Sequence, residues 1–277
     1  MTSDPVVAPE VLAFYTETTD ESVRLTSSAD GALELIRTQE ILRRYLPAAP
    51  ADVLDVGGGP GIHAKWLAED GYTVHIVDPV HRHVEQVPDG VTAEVGDARK
   101  LPASDHSQDV VLLLGPLYHL LEREERDRAL AEALRVVKPG GLIAAAAIGR
   151  YASLFEHVAT TLLDVERVHD AVADILVNGR HEPGRKGFTA AYFHTAASLA
   201  EELTEAGVAD VRVIGIEGPS WGALKAAETH SEESLRDSAM FRAALAAARL
   251  AEPYPDLLSA SSHMLAVGRA PGCPGGA

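Results

Sequence analysis

The chain of 277 residues is poor in cysteine, in aromatic residues and in positive charge, and it lacks a long apolar run. Its one cysteine, Cys273, lies in the Pro/Gly-rich tail PGCPGGA. That excludes an intrachain disulfide framework and a metal centre built from cysteines. Lys and Arg number 24 against 41 Asp and Glu, a formal net charge of −17. A field of that sign repels a phosphate backbone, so no nucleic-acid partner is expected. Apolar stretches such as 142–148 are far shorter than the roughly 20 residues that cross a bilayer. The opening MTSDPVVAPE has neither the basic start nor the apolar core of a secretion signal. A soluble, cytoplasmic chain with no membrane partner is therefore expected. The histidines show no H-E-x-x-H spacing, and His81 and His83, two apart on a predicted helix, do not share a face, so no metal site is expected.

Apolar residues still make up 46% of the chain, ample for a buried core. Residues 10–46 read as helices, and 31–46 place apolar residues at helical spacing before Pro47. Short apolar runs then alternate with helical stretches. Strands are predicted at 52–57, 73–78, 91–96, 110–114 and 142–148, and helices at 62–69 and 122–137. Nearly all-apolar strands separated by helices indicate a parallel sheet covered on both faces. The alternation breaks over 150–194, which includes the polar loop NGRHEPGRKG, and resumes with a helix to 206. A strand near 211–217, a helical region at 223–250 and a last strand at 263–267 follow. The expected organisation is an N-terminal helical lid (1–49), a doubly wound α/β core (50–149), a substrate-binding lid insertion (150–194), a completion of the core (195–270) and a disordered tail (271–277).

Residues 55–61 read D-V-G-G-G-P-G, between a predicted strand and a predicted helix. Glycines in that turn let a ligand approach the backbone, and the helix start offers unpaired N–H groups. Two patterns overlap there: G-x-G-x-G (Gly57, Gly59, Gly61) and G-x-G-x-x-A (Gly59, Gly61, Ala64), the second acceptable for a dinucleotide. Asp78 ends the next strand, where a carboxylate can accept both ribose hydroxyls of an adenosine cofactor. Asp97, in Gly96-Asp97-Ala98 after the third strand, can accept from an adenine amine. Lys138-Pro139-Gly140-Gly141 turns into the fifth strand.

In this order and spacing the motifs resemble the class I family of methyltransferases that use S-adenosylmethionine (SAM). The resemblance implies a Rossmann-like seven-stranded sheet with an antiparallel last strand at 263–267, SAM as cofactor and S-adenosylhomocysteine as product. It also implies cofactor contacts from Gly57, Gly59, Asp78 with Pro79, Asp97 with Ala98, and Leu114 with Gly115. The stretch LLLGPLYHL (112–120) and the N-terminal ESVRL (21–25) look like actinobacterial small-molecule methyltransferases. In those enzymes an aromatic residue and an arginine cover the cofactor, which maps to Tyr15 and Arg24. An arginine fork suits the methionine carboxylate.

Methyl transfer asks an enzyme chiefly to hold a nucleophile in line with the methyl carbon, away from water. Where that nucleophile carries a proton, His119 is the first candidate base, just after the fourth strand. Glu17 and Tyr118 are further candidates. Tyr151, Phe155, Phe188, Tyr192, His194 and Trp221 are candidate acceptor contacts. Together they suggest a flat, weakly polar ring as acceptor. The combination resembles indole C3-methyltransferases acting on tryptophan-derived natural products of secondary metabolism, with Glu17 and His119 handling the indole proton. O- or N-methylation of another metabolite, a SAM-binding protein without turnover, and an NAD-dependent oxidoreductase are the alternatives. The last leaves Gly96-Asp97-Ala98 and the K-P-G-G turn unexplained. The helix near 239–251 could bury against a twin subunit or against its own core, so a monomer or a homodimer is expected.

Overall fold

The computed structural model describes residues 7–18, 20–182, 189–231 and 233–272. The chain opens with α1 (Pro9–Ala13), a π-helical turn (Phe14–Thr18), α2 (Glu21–Ser27) and α3 (Ala29–Tyr45). Asp20 and Ser28 cap α2 and α3, their side chains accepting from the N–H groups of Ser22 and Gly31. The core follows as β1 (Asp52–Val56), α4 (Ile62–Glu69), β2 (Thr73–Asp78), α5 (His81–Val84), β3 (Thr92–Val95), β4 (Gln108–Leu113), α6 (Pro116–His119), α7 (Arg123–Val136) and β5 (Val137–Ile148). The insertion contains α8 (Ala152–Ala159), α9 (Glu166–Asn178) and a small antiparallel pair, β6 (Arg180–His181) and β7 (Ala191–Tyr192). The chain then returns through α10 (Ala196–Ala206), β8 (Ala209–Gly215), α11 (Trp221–Thr229), α12 (Ala239–Ala251), α13 (Pro255–Leu258) and β9 (His263–Arg269).

Seven strands form one sheet in the order β3-β2-β1-β4-β5-β9-β8. The pairs from β3 to β5 are parallel, and β9 runs antiparallel to both its neighbours. This is the Rossmann-like sheet expected from the motifs, with the last strand reversed. Along β4, Val110 and Leu112 pack on one face with Ile41, Leu42 and Leu67, while Val111 and Leu113 pack on the other with Leu130 and Leu199. Burial on both faces is why this strand is apolar at every position from Val110 to Leu113. The K-P-G-G turn differs from expectation in lying inside β5. Val137 pairs with Gln108 and Leu142 with Val110, and the intervening residues bulge, with Gly140 at φ 75°.

The helix at 239–251 turns its apolar face onto its own chain, where Phe241 and Ala244 pack with Leu33, Trp221 and Leu224. Among the described residues no helix is long and apolar enough to cross a membrane.

A buried ion pair ties the insertion to the core. The Arg126 guanidinium donates to both oxygens of Glu202 at 2.9 Å, and its Nη1 donates to the carbonyls of Leu120 and Leu121 at 2.8 and 2.9 Å. His194 Nε2–H donates to the same carboxylate at 3.2 Å, and the guanidinium stacks 3.9 Å from the centre of the Tyr192 ring. Burial alone would raise the pKa of Glu202, but the bonds from His194 and Arg126 outweigh it and hold the acid at about 2. Glu202→Ala leaves a buried guanidinium without its counter-charge. It is expected to cost about 3–5 kcal/mol in urea unfolding. Because the native carboxyl is held low, its contribution is complete above the unfolded pKa of about 4.3 and disappears as pH falls toward 2. Wild type should therefore lose this increment in acid, and Glu202→Ala should not.

Candidate active site

The carboxyl ends of β1, β2, β4 and β5 open onto one cavity, which the N-terminal segment covers with Val11, Tyr15, Glu21, Arg24 and Leu25. Parallel strands bring all these ends to one edge, and the turns that leave them supply the walls. After β1 the chain passes through Gly57, Gly59 and Gly61, with φ of 69°, 56° and 89°. A Cβ on Gly57 would stand 2.9 Å from Pro116, and one on Gly61 would stand 2.8 Å from Pro88, so these two glycines are required by packing. At Gly59 the nearest atom to such a Cβ is Glu21 Cγ at 3.5 Å. Here a Cβ would make only ordinary van der Waals contacts, so packing does not require the glycine.

Asp78 holds this loop in place. Its carboxylate accepts from the N–H groups of Gly59 and Val80, both at 2.9 Å, and from His83 Nδ1–H at 3.1 Å. Pro79, Ala98, Leu114 and Gly115 line the cavity beside it. Asp97 lines it too, but its two oxygens accept from Arg99 at 2.9 and 2.7 Å, and Arg99 also bonds Glu125. The side chain expected to meet an adenine amine is thus engaged by its neighbour two residues on.

Asp55, the first residue of the glycine motif, was not among the expected contacts. It is 1% exposed, and neither carboxylate oxygen has a hydrogen-bond partner. Burial, reinforced by Asp78, pushes its pKa up to about 7. A buried carboxylate without a donor is costly. Its signal was in the motif itself, as an acid inside an otherwise apolar strand end.

The N-terminal segment closes over the edge of β4 through Tyr15, whose hydroxyl donates to His119 Nε2 at 2.7 Å. His119 Nδ1–H donates to the Ala190 carbonyl at 3.4 Å. Burial, with Arg24 adding, pushes the His119 pKa down to about 4. The imidazole is therefore neutral with its accepting nitrogen in use, and it does not have the lone pair expected of a base. Tyr118 lines the cavity as expected, and burial raises its pKa so that it keeps its proton. Glu17 is exposed and does not line the cavity, because the π-helical turn directs Tyr15 inward and Glu17 outward.

Arg24 reaches the cavity but donates to the chain's own carboxylates. Its Nε bonds Glu21 at 2.6 Å, and its two Nη groups fork onto Glu34 at 3.1 and 3.2 Å. The fork expected to clamp a methionine carboxylate instead fixes α2 to α3. Burial raises the Glu34 pKa, but Arg24 and His263 outweigh it and bring it to about 2. His63, from the first turn of α4, is pushed down to about 4 by burial. The wall beyond β4 is completed by Thr38, Ala146, Ile216 and His263, and His263 Nδ1–H donates to Glu217 at 2.5 Å. Sequence reading missed Glu34, Glu217 and His263, which lie far apart in the chain. Their ligating atoms lie within 4.8 Å of one another, the one such grouping among the described residues. Because Arg24 forks Glu34 and His263 bonds Glu217, this cluster is ion-paired within itself rather than open to a metal.

The expected acceptor residues do not meet at this cavity. Tyr192 lies against Arg126, and His194 is fully buried on Glu202. Trp221 packs with Leu33 and donates its indole N–H to the Ala260 carbonyl at 2.9 Å. Phe155 stands edge-on to Trp221, Tyr151 is exposed, and neither lines the cavity. Phe188 lies outside the described residues.

Residues 54–145 match the family model of a methyltransferase domain. This segment is similar to a methyltransferase domain. The methyltransferase GfsG of Streptomyces halstedii is 32% identical over 137 residues, covering 46% of this chain and 48% of that protein. The chain thus spans about half the length of this relative. A SAM-dependent methyltransferase structure from Thermotoga maritima superposes with a TM-score of 0.56 at 17% identity, over 94% of this chain and 98% of that one. Haemonchus contortus phosphoethanolamine N-methyltransferase 2, solved with SAM, superposes at 0.56 and 18% identity, over 96% of this chain and 60% of that one. Both show the shared fold.

The proteins that this chain resembles use S-adenosylmethionine, and the residues present suit that cofactor. Gly59 lines the cavity without a side chain, Asp78 anchors the loop at the place where a ribose would lie, and the unpartnered Asp55 suits the methionine ammonium. The two glycines should separate by experiment. Gly59→Ala is expected to fold with a loss of about 1–2 kcal/mol, the left-handed penalty, while S-adenosylhomocysteine affinity falls at least tenfold in calorimetric titration. Gly61→Ala meets Pro88 and Ile76, so its larger loss should appear in thermal unfolding.

Proposed function

We propose that the chain is a SAM-dependent methyltransferase acting on a small molecule, which it binds where the cavity continues past β4. The observation that carries this reading is the order of groups along the edge. Asp78 ends β2, Gly59 and the orphaned Asp55 follow at β1, Leu114–His119 leave β4, and an ion-paired chamber lies at β5 and β9. A bound SAM supplies a methyl group on a positive sulfur, already activated for in-line displacement.

The chain's own residues then bind, orient and exclude water. Tyr15 and His119 latch the N-terminal segment over the edge of β4. Tyr118, which keeps its proton, offers the acceptor a hydrogen bond. Neither His119 nor the outward Glu17 is placed to remove a proton. That takes away the specific support for indole C3-methylation, which required both, and leaves C-, N- and O-acceptors of a small polar molecule open to assay. The strongly negative charge supports a small-molecule acceptor over a nucleic acid.

Calorimetric titration with S-adenosylhomocysteine, beside NADH, tests the cofactor reading. Wild type should bind the former and ignore the latter, and Asp78→Ala should lose about 1–3 kcal/mol, one charge-assisted bond left unmade. Binding of NADH alone would instead support an oxidoreductase using the same glycine loop. Turnover of labelled SAM separates an enzyme from a SAM-binding protein without activity. Asp55 adds a pH signature. With its pKa near 7 in the unliganded chain, the carboxyl must lose a proton to pair with an ammonium. Affinity for S-adenosylhomocysteine should therefore fall as pH drops below 7, by up to about tenfold per unit. Asp55→Asn should flatten that dependence.

A further inference from the structure

Past β4 the cavity holds a cluster that the cofactor residues do not account for. His263 begins β9 and faces it from the sheet edge. Its Nδ1–H donates to Glu217 Oε1 at 2.5 Å, and Glu217 is 2% exposed. The other Glu217 oxygen accepts from Ser261 Oγ at 2.8 Å and from the His263 backbone N–H at 2.9 Å. This carboxylate is saturated and fixes the ring, while Nε2, on the opposite side of the ring, has no hydrogen-bond partner among the described residues.

The groups around this nitrogen come from three helices. From α3 come Glu34, whose carboxylate lies 3.6 Å from Nδ1, and Thr38. From α2 comes Arg24, already forked onto Glu34 and bonded to Glu21, and from α4 comes His63. Arg24 and His263 thus meet three acids, Glu21, Glu34 and Glu217, and two polar atoms of the group stay without a hydrogen-bond partner, His263 Nε2 and the buried Glu21 Oε2. Burial works against a charged imidazole, but Glu34 and Glu217 outweigh it and raise the His263 pKa to about 9. At neutral pH Nε2 carries a proton to give.

We propose that His263, oriented by Glu217, is an acceptor-binding residue whose Nε2–H receives an anionic or strongly accepting oxygen of the substrate. The substrate class is then a small molecule bearing a carboxylate, phenolate or enolate oxygen. Glu34 and Glu217 are committed to Arg24 and His263, so the carboxylate oxygen left without a partner in this group is Glu21 Oε2, on the α2 side of the cavity and not at His263. The proposal rests on the methyltransferase reading, since it takes the cofactor to occupy the glycine-loop end and the acceptor the β9 end.

The test uses the full chain, isotopically labelled at histidine and saturated with S-adenosylhomocysteine. Nitrogen NMR of wild type should show His263 protonated on both ring nitrogens at pH 7 and titrating well above 6.5. Benzoate and phenol should shift the Nε2 resonance, and benzylamine should not. Benzoate affinity should fall at least tenfold in His263→Phe, while S-adenosylhomocysteine affinity stays within twofold. Glu217→Gln should lower the titration point and weaken benzoate with the cofactor site intact. A titration point at or below 6.5, no response to either oxygen probe, or a His263-dependent response to benzylamine would overturn the proposal, even if the variants fail to fold. Failure of wild type to bind S-adenosylhomocysteine would instead remove the methyltransferase reading on which it stands.

Discussion

In a parallel sheet every strand must be followed by a crossover, so the carboxyl ends of β1 to β5 gather at one edge with no hairpins to close them. Everything functional in this molecule depends on that constraint. The glycine loop, Asp78, Leu114 and Ala146 leave different strands but open onto one cavity because the hydrogen-bonded register aligns their ends. The antiparallel β9 extends the same edge. Reversed, it brings its first residue, His263, level with Ile148, the last residue of β5.

The second organising feature is a set of partly buried charges paired with one another along the cavity wall. Arg24 binds Glu21 and Glu34, Glu34 lies near His263, and His263 binds Glu217. Their pKa values move in a consistent pattern: Glu34 down, His263 up, and the uncharged neighbours His63 and His119 down. An equivalent device outside the cavity, Arg126 with Glu202 and His194, holds the insertion against α7 and α10. One network lines the cavity and the other lies outside it, although both use the same residue types.

That equivalence explains which parts of the site were legible. Backbone-borne features were, because glycine at a left-handed turn and an acid at a strand end are local requirements. Gly57, Gly59, Asp78, Leu114 and Gly115 all line the cavity. The aromatic and histidine cluster around Tyr192 and His194 was not. A ring that stacks on a guanidinium and a ring that faces a substrate have the same sequence signature, and Arg126 is 66 residues away from Tyr192. The reading of Arg24 as a cofactor clamp likewise could not anticipate that Glu34, one turn into the next helix, takes its fork.

Chain order and apolar patterning determined the alternating strands and helices, the doubly wound sheet and the nature of the turn after β1, whereas the reversed last strand was implied only by the family resemblance. The first three follow from local sterics or from which faces must leave water. Tertiary structure alone decided which charged groups meet. It set His119 against Tyr15, left Asp55 without a donor, and brought Glu217 and His263 together where β8 and β9 end side by side. Such contacts depend on where distant segments are packed and on the low polarizability of that interior, so no local pattern records them.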